Sequence, residues 1–454
     1  MTPKKKIQLG TSKPANQQTG SPPSICLYFQ VHQPYRLKDL RISDVGSMNL
    51  QYFDTEKNSA IFRKVAEKCY LPTNALLLEL LHAHPNFKIA FSISGVFLDQ
   101  CKEYGEDVLE SFRKLGEAGQ VEFLAETYYH SLSCLTSLRE FLEQVSLHVR
   151  TIEKLFRVTP KVLRNTELIY RNELAQIARL MGFSGILSEG ADRILGDRSA
   201  NQLFEPPDFK VSLKDQRTIR SFRPFNKAQR DIRILLKNYR LSDDVAFRFS
   251  DKSWIGFPLT AECFTDWLMG SGGFTTNLFM DYETFGEHQW ADTGIFDFLR
   301  ALPRIWQERG ILARTPSETI DAWNQSKQPT PCYDAHEFLS WADQERDLSA
   351  WQGNRIQTAA LAAIHALEKP VRKSEDPRMI DAWRKLQTSD HFYYMCTKYW
   401  SDGDVHKYFS PYDSPYEAYR RFSHALCDLK QMLDSRSHDA PSTIHHSALP
   451  TPDS

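Results

Sequence analysis

A chain of 454 residues has room for two to four domains of about 100–200 residues each. Its 41% hydrophobic and 25% charged residues are the mix of a folded protein. With 56 basic against 57 acidic side chains, no net field attracts nucleic acid or an anionic membrane. No stretch approaches the ~18 apolar residues of a membrane-spanning helix. The eight cysteines are never closer than 31 residues, so there is no CxxC zinc or redox motif. They read as buried thiols of a reducing compartment. Behind Lys4-Lys5-Lys6 the chain stays polar, unlike a secretory signal, and a cytoplasmic location is expected.

Residues 1–24 and 436–454 are polar and Ser/Pro/Thr-rich, and read as disordered tails. Between them the pattern starts with a strand at Ile25–Val31, followed at once by His32-Gln33-Pro34. A helix at Asn74–His84 puts Leu76, Leu77, Leu80 and Leu81 on one face; Pro85-Asn86 stops it, and Phe87–Ser94 alternates as a strand. Val108–Ala118 reads as helix, Gly119-Gln120 as a turn and Val121–Ala125 as a strand. Leu138–Phe156 has strong helical periodicity through Val145, Val149 and Ile152. An extended piece at Val162–Asn165, a helix at Glu173–Met181 and a buried strand at Gly185–Leu187 follow. Residues 196–260, rich in Arg, Asp and Phe, read as an insertion with irregular structure. Thr276–Met280 is a last apolar strand, ending in Asp281.

From about residue 316 only helices are expected: Ser317–Trp323, Trp351–Leu367, Asp376–Leu386 and Pro415–Leu433. Strand–helix alternation over the first part argues an α/β fold with a parallel sheet closed as a TIM-like barrel. The expected division is a barrel over 25–315 and a helical domain over 316–435.

In such a barrel, reactive side chains gather at the carboxyl ends of the strands. The first strand delivers His32 there, the third Glu126, Tyr128, Tyr129 and His130, the next Arg164 and Glu167, and the last Asp281 through Trp290. Two carboxylates across a pocket lined by aromatic rings suit glycosidic cleavage, one acid protonating the leaving oxygen and the other attacking or activating water. Cationic sequence neighbours, Arg164 and Arg171, favour an ionised Glu167. The apolar Leu278-Phe279-Met280 ahead of Asp281 favours a retained proton there. HExxH and GxSxG are absent, and Gly270-Ser271-Gly272-Gly273 precedes a strand and lacks the lysine of a phosphate loop.

Five blocks carry a resemblance. They are His32-Gln33-Pro34; Gly119 to Glu122 running on to Tyr128-Tyr129-His130; Arg164 through Tyr170; Met280 through Trp290; and Leu339 through Asp347 to Trp351-Gln352-Gly353-Asn354. Together the blocks resemble glycoside hydrolase family 57, in particular its α-amylase-like members, over about residues 25–435. The resemblance implies an incomplete (β/α)7 barrel with a C-terminal helical domain. It further implies retaining cleavage of α-1,4-glucans or maltooligosaccharides without metal or cofactor. Glu167 is implied as nucleophile and Asp281 as general acid/base. His32, His130, Trp290, Trp341, Asp347 and Trp351 are implied to line the sugar site. Leu168 stands where some relatives carry Trp, a difference that bears on specificity. Transfer to a sugar acceptor, as in a 4-α-glucanotransferase or branching enzyme, uses the same carboxylate pair. A metal-dependent carbohydrate deacetylase would need a metal triad, and His32 has no adjacent Asp pair. A non-catalytic glucan-binding protein would not need both Glu167 and Asp281.

Overall fold

The computed structural model describes residues 23–208, 210–222, 231–398 and 405–438. The expected tails lie outside these residues, except that Ser24 opens the first strand and the last helix, Pro415–His438, runs past residue 436. Among the described residues, seven parallel strands form the barrel: β1 (Ser24–Val31), β2 (Ile89–Ile93), β3 (Val121–Phe123), β4 (Val162–Leu163), β5 (Gly185–Glu189), β6 (Arg233–Lys237) and β7 (Thr276–Asp281). Around the wall the order is β7-β1-β2-β3, then β4-β5-β6, with a single Ala125–Leu163 bridge joining the two arcs. Between β6 and β7 the seam is made by isolated hydrogen bonds, Asn277 Nδ2 donating to the Leu236 carbonyl and Asn238 N to the Asn277 carbonyl, each at 2.9 Å. The result is an incomplete (β/α)7 barrel with helices packed on it.

The wall is buried on both sides, as parallel sheets require. Along β1, Cys26 and Tyr28 share the barrel's interior cluster with Leu124, Leu187, Leu235 and Phe279, while Ile25, Leu27, Phe29 and Val31 pack outward against helices. Polar caps begin several of these helices just past a strand end: Ser94 accepts from Phe97 N and Asn238 from Leu241 N.

Helix Pro316–Ser326 starts with Thr315 and Glu318 in a reciprocal capping box. It closes the amino end of the barrel: Ile320 and Trp323 join the interior cluster, and Ser317 N and Oγ donate to Glu122 at 2.8 and 2.5 Å. This helix, expected in the helical domain, therefore packs as part of the barrel. The later helices, among them Arg355–Ala366, Pro377–Lys385 and Ser389–Tyr393, share one apolar core with the β4–β6 side of the wall. Arg372 and Arg384 both ion-pair with buried Glu140 of the Leu138–Phe156 helix and lock the two layers together.

Two expectations change. The stretch 196–260 is not wholly irregular, since β6 and the helix Tyr239–Ala246 lie in it and β6 completes the wall. Its apolar run is short because Arg233 and Lys237 emerge at opposite ends of the sheet, Arg233 toward Glu205 and Lys237 toward Asp243. The cysteines are all unpaired, but Cys332 and Cys427 are exposed rather than buried. No helix among the described residues is long and apolar enough to cross a membrane.

Candidate active site

Parallel register brings the strand ends to one level: Gln30 opposite Asp281, Val31 opposite Ile93 and Glu189 opposite Lys237. The open mouth above them collects acids and bases from every part of the wall.

Glu167 follows β4 in a tight turn and takes a left-handed conformation, φ 57°. The turn is pinned by a segment from far along the chain, with Tyr170 and Leu339 exchanging backbone hydrogen bonds and Trp341 N donating to the Glu167 carbonyl. The Trp341 indole Nε1 donates to Glu167 Oε2 at 2.7 Å; His130 Nε2 donates to Oε1 at 3.1 Å, and Ser389 Oγ adds a longer contact at 3.3 Å. Burial alone would raise this carboxyl, but His130 and the nearby Arg164 charge outweigh it and hold Glu167 below the ordinary range. Arg171 instead pairs with Glu173 and lies over Phe338.

Asp281 ends β7 with its carboxyl in the barrel mouth. Desolvation pushes it up to about 6, and the negative charge of Glu167 adds to the rise, against Arg164 and Lys237. The two carboxyls are therefore driven apart, one ionised and the other protonated at mildly acid pH. Two residues on, buried Glu283 accepts from Tyr70 Oη at 2.5 Å and is pushed up to about 8 by burial and by Asp281. The loop reaching Trp290 turns at Gly286, where φ is 114° and a side chain would meet the Lys68 carbonyl.

His130 is wholly embedded, with Glu126 at Nδ1 (2.9 Å) and Glu167 at Nε2. Burial disfavours its charge, but the two carboxylates raise it to about 9. Glu126 is correspondingly held down at about 2 against the effect of its burial. His32 stacks on His130 with ring centroids 3.9 Å apart. Burial and the charge of His130 lower it below its ordinary value; its Nε2 donates to Asp390 at 2.9 Å and Nδ1 accepts from Ser94 Oγ at 2.7 Å. Farther round the mouth, Lys237 pairs with Asp243 and approaches Glu189, and Arg346 reaches both acids. Burial raises Glu189 to about 7 despite those cations. Trp341 lies between two positive groups, Arg164 at 5.0 Å and Lys237 at 5.3 Å from its ring.

Of the residues marked in the sequence, Glu167, Asp281, His32, His130 and Trp341 come together. Trp351 does not: it is 1% exposed in the helical core. Asp347 is tied up locally ahead of the next short helix, accepting from Ser349 N and Oγ. Trp290 stands on the rim, 58% exposed, with Lys68 over its ring at 5.0 Å. Ser389, Asp390, Lys237 and Arg346 were not marked. Asp390 and Ser389 lie in an unremarkable stretch of sequence, while Glu126 had two signals, its strand-end position and the i,i+4 spacing to His130. Among the described residues, no group of three His, Cys, Asp or Glu side chains is disposed to hold a metal ion.

The model of the family described as Glycosyl hydrolase family 57 matches residues 26–331. A protein of Methanocaldococcus jannaschii named "Putative alpha-amylase" is 40% identical over 421 residues, covering 90% of this chain and 84% of that protein. Among solved structures, a family 57-type branching enzyme of Pyrococcus horikoshii superposes with a TM-score of 0.61 at 15% identity, covering 88% of each chain. An α-amylase of Thermotoga maritima superposes with a TM-score of 0.54 at 13% identity, over 92% of this chain and 94% of that one. At these identities the two structures establish a shared fold.

Proposed function

The chain belongs to glycosyl hydrolase family 57, and from that premise we propose that it cleaves α-1,4-glucans with retention, Glu167 attacking the anomeric carbon and Asp281 protonating the departing oxygen. The observation that carries this reading is the opposite bias on two carboxyls from separate strand ends that meet across the barrel mouth: Glu167 depressed by an imidazolium, Asp281 raised by burial and by Glu167 itself. A nucleophile must be ionised and a general acid protonated in the same enzyme form.

The coupling also suits the second half of the reaction. When Glu167 becomes a glycosyl ester, its negative charge disappears and one cause of the raised Asp281 pKa goes with it. Asp281, having given its proton to the leaving oxygen, is then the carboxylate that takes a proton from water. Water attacks the anomeric carbon, the ester bond breaks, and Glu167 leaves as a carboxylate. Two inversions restore the α configuration. Trp341 and His130 hold the two oxygens of Glu167, fixing the plane of the carboxylate toward the mouth.

The test is to incubate the purified protein with maltoheptaose and separate the products. Hydrolysis gives only shorter sugars, whereas longer ones mean that a sugar acceptor replaces water in the second step. An untouched substrate defeats the reading.

A further inference from the structure

Glu126 is completely buried, and its contacts are to side chains around the mouth rather than to the opening itself. Its Oε1 accepts from Ser92 Oγ at 2.7 Å and from Gln30 Nε2 at 3.2 Å; its Oε2 accepts from His130 Nδ1 at 2.9 Å. The other nitrogen of that ring donates to Glu167 Oε1 at 3.1 Å. One imidazole thus bridges two carboxylates, of which Glu126 is sealed off and Glu167 is 19% exposed toward the mouth.

We infer that Glu126 is a positioning residue for the nucleophile: it keeps His130 doubly protonated, so that an N–H stays aimed at Glu167 through both halves of the reaction. The inference rests on the nucleophilic role of Glu167 proposed above. Either neutral tautomer of His130 would set a ring lone pair against a carboxylate, at Nδ1 against Glu126 or at Nε2 against Glu167. Only the imidazolium satisfies both. In the glycosyl ester Glu167 carries no charge, and a buried cation then needs another anion in contact. Glu126 supplies it, so the donor is still in place when the ester breaks and charge returns to Glu167.

The remaining charges around the pair fit this arrangement. Arg164 Nη1 stands 4.0 Å from Glu126 Oε2, and the Glu126 backbone N–H donates to His148 Nδ1, whose Nε2 donates to the Ile93 carbonyl. His148 is thereby a neutral ring, lowered by burial. The stacked His32 is also lowered, and Asp390 and Asp281 face the two rings from the helical layer and from β7.

The experiment follows the His130 ring nitrogens by NMR through a pH titration, alongside the pH profile of kcat/KM on maltoheptaose. In the wild type the ring should stay doubly protonated until pH approaches 9. In Glu126→Gln it should titrate at or below the ordinary ~6.5. The acid limb of kcat/KM should move up by about one pH unit, a tenfold loss of ionised Glu167 at a given acid pH, with KM within about twofold. Glu126→Asp, which keeps the charge, should hold the wild-type limb whatever it does to kcat. A wild-type ring that is neutral at pH 7 overturns the inference. So does a folded Glu126→Gln protein with the ring still charged or the limb unmoved. If Glu126→Gln does not fold, the wild-type titration decides alone. Should maltoheptaose prove not to be a substrate, the functional reading falls while the ring titration still judges Glu126.

Discussion

The imidazoles of His32 and His130 stack 3.9 Å apart, yet near neutral pH only His130 carries a charge. Two imidazoliums at that spacing would repel, and their surroundings select one: His130 has a carboxylate at each nitrogen, whereas His32 has Asp390 at one and the Ser94 hydroxyl at the other.

That asymmetry makes stability depend on pH. His130 has a folded pKa raised to about 9, so its contribution is fully present below about 6.5 and is lost as pH rises through 9. Glu126, lowered to about 2, contributes above its unfolded value of 4.5, and this is lost as pH falls toward 2. Thermal melts of wild type and His130→Gln should therefore converge as pH climbs from 6.5 to 9. A constant gap over that window would place the charge elsewhere.

The alkaline limb of kcat/KM should lie near pH 6, where Asp281 gives up its proton. Lys237 lowers the Asp281 pKa, so Lys237→Met should move that limb to higher pH. A limb shifted downward, or unmoved in a folded variant, would take Lys237 out of the electrostatics of the acid.

Trp341→Phe keeps a ring between Arg164 and Lys237 but removes the indole donor to Glu167. A hydrogen bond to a charged group is worth about 1.5–3 kcal/mol, so kcat/KM should drop about ten- to a hundredfold. The acid limb should rise as well, because the carboxylate loses a donor. If Trp341 acts only as a sugar platform, KM will change and the limb will not.

Substitution with an external anion separates the two carboxyl roles. Glu167→Gly with azide and an α-glucosyl fluoride should yield the β-azide, since azide enters the vacated face once. Asp281→Gly leaves the nucleophile, so two displacements should yield the α-azide. Chromatography of the two products against both anomers decides it, and a common anomer would exchange or void the assignments.

The sequence made the barrel legible wherever apolar runs were long. Ile25–Val31 and Thr276–Met280 are continuous because both faces of those strands are buried. Strand β6 escaped notice because its apolar run is only Ile234, Leu235 and Leu236, flanked by Arg233 and by a Lys237 that is buried through its ion pair with Asp243. Glu167 and Asp281 were readable because one lies in the turn just past β4 and the other ends β7. Asp390 was not, since a lone acid in a short helix looks solvated until tertiary packing carries it to His32. Trp351 shows the reverse: the resemblance implied a sugar-site residue, but its large apolar area is buried in the core. Trp341, ten positions earlier, is held out of that core by its bond to Glu167.

Trp341, Ser389 and Asp390 reach the mouth from chain that is synthesised after the last wall strand and after the helix that closes the barrel's amino end. A ribosome has made both carboxyls once it passes residue 281. Glu167 still waits for its indole partner until residue 341, and His32 waits for its acid until residue 390. A nascent chain therefore carries Glu167 and Asp281 without the side chains that contact Glu167 and His32 in the folded protein. The proposed site is complete only late in synthesis, when the helical layer has closed over the finished wall.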